Sequence, residues 1–225
     1  MSRFIMSLAV LGLIVGSCGN ENSTTSSVSS VSDQKSDHSR AVVSIVPVID
    51  STKNDYAWNL SDELSCTIYE RLAEQEKFNI VHASRVRAKT KKLQDSQNPF
   101  GPDISWVKKA FQGDDFVVFM ELVEHEEVFK QNRHKTVDPQ KCSADLKMSM
   151  RVRVFDLRGN EPKIVLQELL HDKHYIPWQF THLNFNQVSW GDSSFNISPV
   201  GLAHEEFTKE IAMRLEDYIL MAQKR

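Results

Sequence analysis

Residues 144–154 read ADLKMSMRVRV, in which Ala144, Leu146, Met148, Met150, Val152 and Val154 alternate with Asp145, Lys147, Ser149, Arg151 and Arg153. A period of two sends successive side chains to opposite faces of a strand. The segment therefore requires a sheet with one dry and one wet face, and a one-residue slip of register would invert it. Arg158-Gly159-Asn160 turns the chain into KIVLQELLHDKHYI, residues 163–176, the returning arm of a hairpin.

The elements around this hairpin supply the cover that its dry face needs. AVVSIVPVID, residues 41–50, is a continuous apolar run such as a buried strand has. Pro47 has no N–H for the ladder, so the strand should have an edge or bulge near its end. In the next segment Asn59 can cap a helix whose first turn carries Asp62 and Glu63, and Leu60, Leu64, Ile68 and Leu72 recur at spacing four as its buried stripe. Phe78, Ile80 and Val81 read as a short strand, Ser84 as the cap of a basic helix, and Asp103 as the cap of a third helix that stops at Gly113. FVVFMELVE, residues 116–124, is the third strand, followed by a polar loop over 130–142. Ser198-Pro199 opens the last helix, with Phe207, Ile211, Leu215, Tyr218, Ile219 and Ala222 on its buried face. The expected class is α+β (mixed α/β). A single mixed sheet of about five strands carries three to four packed helices, in the order β-α-β-α-α-β-β-β-α.

The N-terminus is of another kind. Arg3 precedes an apolar run from Phe4 to Val15, about the length of a signal-peptide core and short of the roughly 20 residues of a spanning helix. Val15, Gly16, Ser17 and Cys18 resemble the bacterial lipobox, which implies cleavage after residue 17 and a diacylglyceryl group on the Cys18 sulfur. The alternative is an ordinary secretory signal that contains a cysteine. Residues 19–40 hold no aromatic side chain and only two valines, so they cannot repay their ordering entropy and should form a tether of about 25 Å root-mean-square span. The expected domains are thus a signal peptide over 1–17, a lipidated cysteine and tether over 18–40, and a globular domain over 41–225. Gly19 and Asn20 after the cysteine resemble the sorting pattern for the periplasmic face of the outer membrane.

The formal charge of −3 argues against a dedicated nucleic-acid partner. Cys66 and Cys142 remain once Cys18 is used; in an oxidising compartment they form either a bridge or two separate thiols.

The element order with Leu64, Leu72, Phe78, Ile80, Val81, Ser84 and Arg85, then Gly113, Asp115, Phe116, Val117 and Val118, resembles a family of envelope domains. That family holds the N-terminal domain of TolB, the curli secretion lipoprotein CsgG and the lipoprotein LpoB. Asp114 stands where the pattern has alanine, and Met120-Glu121 where it has a glycine after the strand. The resemblance implies a fold and a compartment; fold alone does not carry function.

No HExxH, GxSxG, P-loop, Rossmann glycine triplet or CxxC is present, since His125 begins HEEVF and His204 begins HEEFT. His171 and His174 stand three apart on a strand and should face opposite sides, which disfavours a shared metal. We therefore expect no catalytic residues, no cofactor and no metal. Two surfaces remain. Arg85, Arg87, Lys89, Lys91 and Lys92 could meet anionic headgroups or glycans, or could simply be a solvated helix face. Trp178, Phe180, Phe185 and Trp190 could dock a partner or could cap the core. The leading expectation is a membrane-anchored, non-catalytic adaptor or assembly factor that binds another envelope protein or itself. The alternatives are a subunit of a CsgG-like secretion oligomer and a cell-wall hydrolase whose site the sequence does not display.

Overall fold

A computed structural model describes residues 40–54, 56–93, 97–130, 142–181, 183–185 and 187–225. The signal segment 1–17, Cys18, the tether up to residue 39 and the loop residues 131–141 lie outside the described residues.

The first apolar run breaks at Pro47 into β1 (Val42–Ile45) and β2 (Ile49–Asp50). The missing ladder bonds are replaced from α1 (Leu60–Glu74): the Val48 N–H donates to Ser65 Oγ at 2.8 Å, and Ser61 Oγ donates to the Val48 carbonyl. After β3 (Asn79–Ile80) come α2 (Ala83–Thr90) and α3 (Ser105–Ala110). Three long strands follow: β4 (Phe116–Phe129), β5 (Ala144–Asp156) and β6 (Lys163–Ile176). A single 3-10 turn (Trp178–Phe180) and α4 (Ser193–Asn196) lead to α5 (Pro199–Gln223).

The sheet order is β3-β1-β4-β5-β6, with β2 paired to β4 beside β1. β1 runs parallel to β3 and β4, whereas β4, β5 and β6 are antiparallel neighbours. The mixed α+β sheet expected from the sequence is the one found. Among the described residues five helices accompany it, because α4 forms between β6 and α5, where the sequence reading placed no helix.

Helices α1 and α5 cover one face. Leu64, Ile68, Phe207, Ile211 and Leu215 pack there on Met148, Met150 and Val152. Helices α2 and α3 cover part of the other face, where Val86, Val107 and Phe111 meet Val117, Phe119 and Phe155. This second core changes the expected wet face of β5. Arg153 is 7% exposed; its Nη1 donates to the carbonyls of Pro99 and Gly101, both at 2.9 Å. The Arg151 and Arg153 guanidiniums also lie over the Phe100 ring, at 4.5 and 5.8 Å from its centroid.

Three boundaries differ from the sequence reading. β4 continues five residues past Glu124, to Phe129, through a bulge between Leu122 and Glu124. His82 rather than Ser84 caps α2, its Nδ1 accepting from the Ser84 N–H at 3.3 Å. Asp103 does not cap α3: Ile104 holds the cap position with no side-chain cap bond, and Asp103 instead accepts from the Ser105 N–H at 3.0 Å just ahead of the helix. Asn59 caps α1 and Ser198 caps α5 as expected.

Entry into β4 depends on Gly113, whose φ of +87° suits a residue without Cβ. Asp114, the departure from the resembling pattern, accepts from Lys89 Nζ and Ser44 Oγ at 2.7 Å each and so ties α2 and β1 to the start of β4.

Gly201 in the first turn of α5 lies against the chain that precedes it. A Cβ there would stand 2.0 Å from the Phe195 carbonyl oxygen and 2.8 Å from its carbon. Gly201→Ala must displace backbone rather than a flexible side-chain tip. Overpacking of this kind costs about 1–3 kcal/mol. A urea denaturation series should show a lower midpoint with an unchanged slope; an unchanged midpoint would mean that α4 yields freely.

Candidate functional site

The sequence-predicted residues separate in the structure. Among the five basic residues of α2, Arg87 pairs with Asp62 at 2.8 Å and Lys89 with Asp114 at 2.7 Å. Arg85, Lys91 and Lys92 are exposed and form no ion pair among the described residues. Two of the five charges therefore fix α2 to the domain and three face solvent. Cys66 and Cys142 are both free thiols, so the bridge does not form. Burial and the neighbouring Glu70 push the Cys66 thiol up from its ordinary range.

The aromatic stretch divides in the same way. Trp178 is 44% exposed and Phe180 42%, and Trp190 is also exposed. Phe185 turns inward: its ring meets Tyr56 edge-on at 4.7 Å and Trp58 at 6.0 Å, so it caps the core. Exposed Phe129 and Tyr175 stand at the same end of the sheet as Trp178, because Phe129 pairs with Ala144 and Ala144 with Ile176. The Thr181 hydroxyl donates to the Trp178 and Cys142 carbonyls, at 2.9 and 3.3 Å, which holds the 3-10 turn against the start of β5.

Beneath this end lies a polar chain that the motif search passed over. His125 Nε2 and His204 Nε2 are 2.8 Å apart; His204 Nδ1 is 2.7 Å from Glu63 Oε1, and Trp58 Nε1 donates to Glu63 Oε2 at 2.7 Å. His204 and Glu63 are each 3% exposed and His125 is 9% exposed. With Glu63 ionised, His204 donates from Nδ1 and accepts at Nε2 from the His125 N–H, so a single tautomer set satisfies the chain. Burial, helped by repulsion from His204, pushes the His125 imidazole down to about 3. Tyr56 stacks on Trp58 at 4.6 Å and meets His125 edge-on at 5.4 Å. Burial, then Glu127 and Glu63, push its phenol well above the usual range. The signal for this network was available, since Glu63 and His204 occupy positions on the apolar stripes of α1 and α5.

A second cluster has the residue types of a hydrolase in the wrong order. Ser149 Oγ donates to Glu124 Oε2 at 2.6 Å and lies 2.7 Å from His171 Nδ1. In a nucleophilic triad the imidazole stands between serine and acid. Here the serine stands between the other two and is 2% exposed on a central strand. His171 and His174 face opposite sides as expected, the latter 3.6 Å from Glu206. Among the described residues no group of histidine, cysteine or acidic side chains could hold a metal ion, and no helix is long and apolar enough to cross a membrane.

A model of the family of unknown function DUF7499 matches residues 30–223. No curated protein matches the sequence. Among solved structures, the chain is similar to the hypothetical protein CT253 from Chlamydia trachomatis, with 26% identity and a TM-score of 0.61 over 80% of this chain and 98% of that one. Looser matches include lipoprotein GNA1162 from Neisseria meningitidis, at 11% identity and a TM-score of 0.40 over 76% of this chain and 98% of that one. Another is a minor lipoprotein from Acinetobacter baumannii, at 10% identity and a TM-score of 0.38 over 78% and 92%.

The buried histidines make stability depend on pH in a stated direction. His125 titrates near 6.5 when unfolded and near 3 when folded. Its contribution is complete above about pH 6.5 and is lost as pH falls toward 3, at up to about 1.4 kcal/mol per pH unit. His125→Phe should remove that part of the slope in urea titrations between pH 4 and pH 7; an unaltered slope would assign the proton uptake elsewhere. His204→Ala leaves Glu63 buried with its Trp58 bond alone and should lower the urea midpoint, at a cost of about 1–3 kcal/mol for a buried acceptor that loses its donor.

Proposed function

We propose that this chain, which belongs to the family of unknown function DUF7499, is a lipid-anchored protein of the bacterial envelope that acts by binding other proteins rather than by catalysis. The carrying observation is the exposed aromatic end of the sheet: Trp178 and Phe180 stand on a 3-10 turn just past β6, with Tyr175 exposed on one face of that end and Phe129 on the other. Aromatic side chains supply large contact area at little conformational cost, and here the turn beneath them is fixed by the Thr181 hydrogen bonds. Phe185 and the His125–His204–Glu63 chain form the packed layer that holds this end in shape.

The anchor rests on the sequence. The lipobox-like Val15-Gly16-Ser17-Cys18 and the polar tether after it point to acylation at Cys18, and Gly19-Asn20 to the periplasmic face of the outer membrane. The resemblance to the TolB N-terminal, CsgG and LpoB domains points to the same compartment. A catalytic reading has little support in the geometry: Ser149 is buried and its cluster is misordered, and the His125–His204 pair is enclosed by rings. Exposed Arg85, Lys91 and Lys92 are available to an anionic surface as a secondary contact.

Two measurements check this. The wild-type protein should label with a clickable palmitate analogue in a bacterial host and partition into detergent, because a diacylglyceryl group holds far more firmly than one chain, at about 0.8 kcal/mol per buried methylene. Cys18→Ser should abolish both. Unlabelled wild-type protein in the aqueous phase would defeat the anchor. In cross-linked cells, Trp178→Ala with Phe180→Ala should reduce recovery of a specific partner about tenfold or more, as expected when hot-spot aromatics are lost. Equal recovery would move the binding surface elsewhere.

A further inference from the structure

Strand β6 is the outer strand of the sheet, 14 residues long. Which of its backbone groups are free follows from bonds at the two ends of the β4–β5 pair. The Leu157 N–H donates to the Asp115 carbonyl and the Lys130 N–H to the Ser143 carbonyl, each at 2.8 Å. With the recorded register, these bonds direct the odd-numbered residues of β5 to β4 and the even-numbered ones to β6. On β6 the even-numbered residues from Leu166 to Ile176 therefore bond inward. Gln167, Leu169, His171, Lys173 and Tyr175 present their N–H and C=O groups outward. Among the described residues the only partner at these outward groups is the Asp172 carboxylate, which takes the Lys173 N–H at 2.7 Å.

We infer that this edge pairs with the same edge of a second copy of the chain, antiparallel about a two-fold axis at His171, to make one continuous sheet. An unprotected edge of this length is a template for another strand. The protection it carries is local. A bulge at Val165 disturbs only the start of the strand, and its one lysine beyond Lys163 is engaged with Asp145 at 2.8 Å. The occupant and register follow from self-complementarity. In antiparallel pairing opposed residues share a face, so a two-fold axis must pass through a residue position. With the axis at His171, Leu169 opposes Lys173, Gln167 opposes Tyr175, Leu166 opposes Ile176, and Glu168 opposes His174. Glu168 Oε2 is buried without a hydrogen-bond partner in the single chain. An axis at Leu170 would set Glu168 against Asp172, and axes at Asp172 or Lys173 would set each against itself. Such like-charge pairs are destabilising. The His171 register opposes no two carboxylates or lysines; it sets His171 against its own copy and Leu170 against Asp172, and it uses residues 166–176, whereas an axis at Leu169 would draw the bulged Val165 into the pairing. The pairing does not depend on the lipid at Cys18 or on the aromatic end, so its failure leaves the tethered-adaptor reading intact.

The test uses residues 18–225 carrying Cys18→Ser, which retains both hydrophobic cores described above. Sedimentation should give a dimer that dissociates on dilution. Hydrogen exchange should show the amides of Gln167, Leu169, His171 and Tyr175 slowed about tenfold or more in the dimer relative to the diluted chain. Leu169→Pro removes an outward N–H and no bond within the chain, so it should give a monomer with an unchanged circular dichroism spectrum. A wild-type monomer at high concentration, or a dimer whose edge amides exchange freely, would overturn the inference whether or not the proline variant folds. So would a folded proline variant that still dimerises. A monomer whose edge amides slow only with a different protein bound would assign the edge to a foreign strand and equally overturn it.

Discussion

The fold hangs on β4. On one side it pairs in parallel with β1 and β2, and on the other it carries the antiparallel β5. Phe116, Val118, Met120 and Leu122 point into the core under α1 and α5, and Val117 and Phe119 into the core under α2 and α3. Burying each such side chain contributes about 1.5–3 kcal/mol, so the first half of β4 concentrates apolar burial on both faces. That explains why its sequence is a continuous apolar run rather than an alternating one. It also explains why Asp114 and Asp115 sit just before it. They bind Lys89, Ser44 and the Val42 N–H, and so align α2 and β1 with the start of the strand.

The bulge after Leu122 determines what the second half of β4 can do. Up to that point even-numbered residues face α1 and α5. The extra residue Val123 shifts the parity, so that His125, Glu127 and Phe129 share a face with Met148, Leu146 and Ala144. Without it, Glu124 and Glu126 would enter the core and His125 would leave it. The bulge therefore does more than bend a strand: it delivers His125 to His204 and places Phe129 on the same side at the far end. Glu124 and Glu126 are tolerated in the second half of β4 because its other face is open, where Glu121 pairs with Arg151 and Glu124 accepts from Ser149.

This accounts for what the sequence could and could not reveal. Strands β5 and β6 were legible because period-two alternation is local, and the stripes and caps of α1 and α5 were legible for the same reason. The continuation of β4 beyond Glu124 was not, because a bulge erases periodicity where it occurs. The buried network was missed because its three ionisable members come from positions 63, 125 and 204. A motif search looks for neighbours in sequence, whereas the useful clue was a polar residue on an apolar helical stripe. The aromatic segment remained open at the sequence level because Phe185 and Phe180 lie in similar surroundings in the chain. Only the packing of Tyr56 and Trp58 against Phe185 separates the core ring from the exposed one.

The position of the network bears on function in its own right. A buried acid and two imidazoles are a poor means of adding stability, since desolvation consumes much of what their mutual bonds contribute. What they impose is geometry. Glu63 belongs to α1, His204 to α5 and His125 to β4, and Trp58 to the loop before α1, so one set of hydrogen bonds fixes four segments at the end of the domain where the aromatic residues emerge. The proposed binding through Trp178 and Phe180 would benefit from that geometry, because side chains held on a fixed frame lose less entropy on contact.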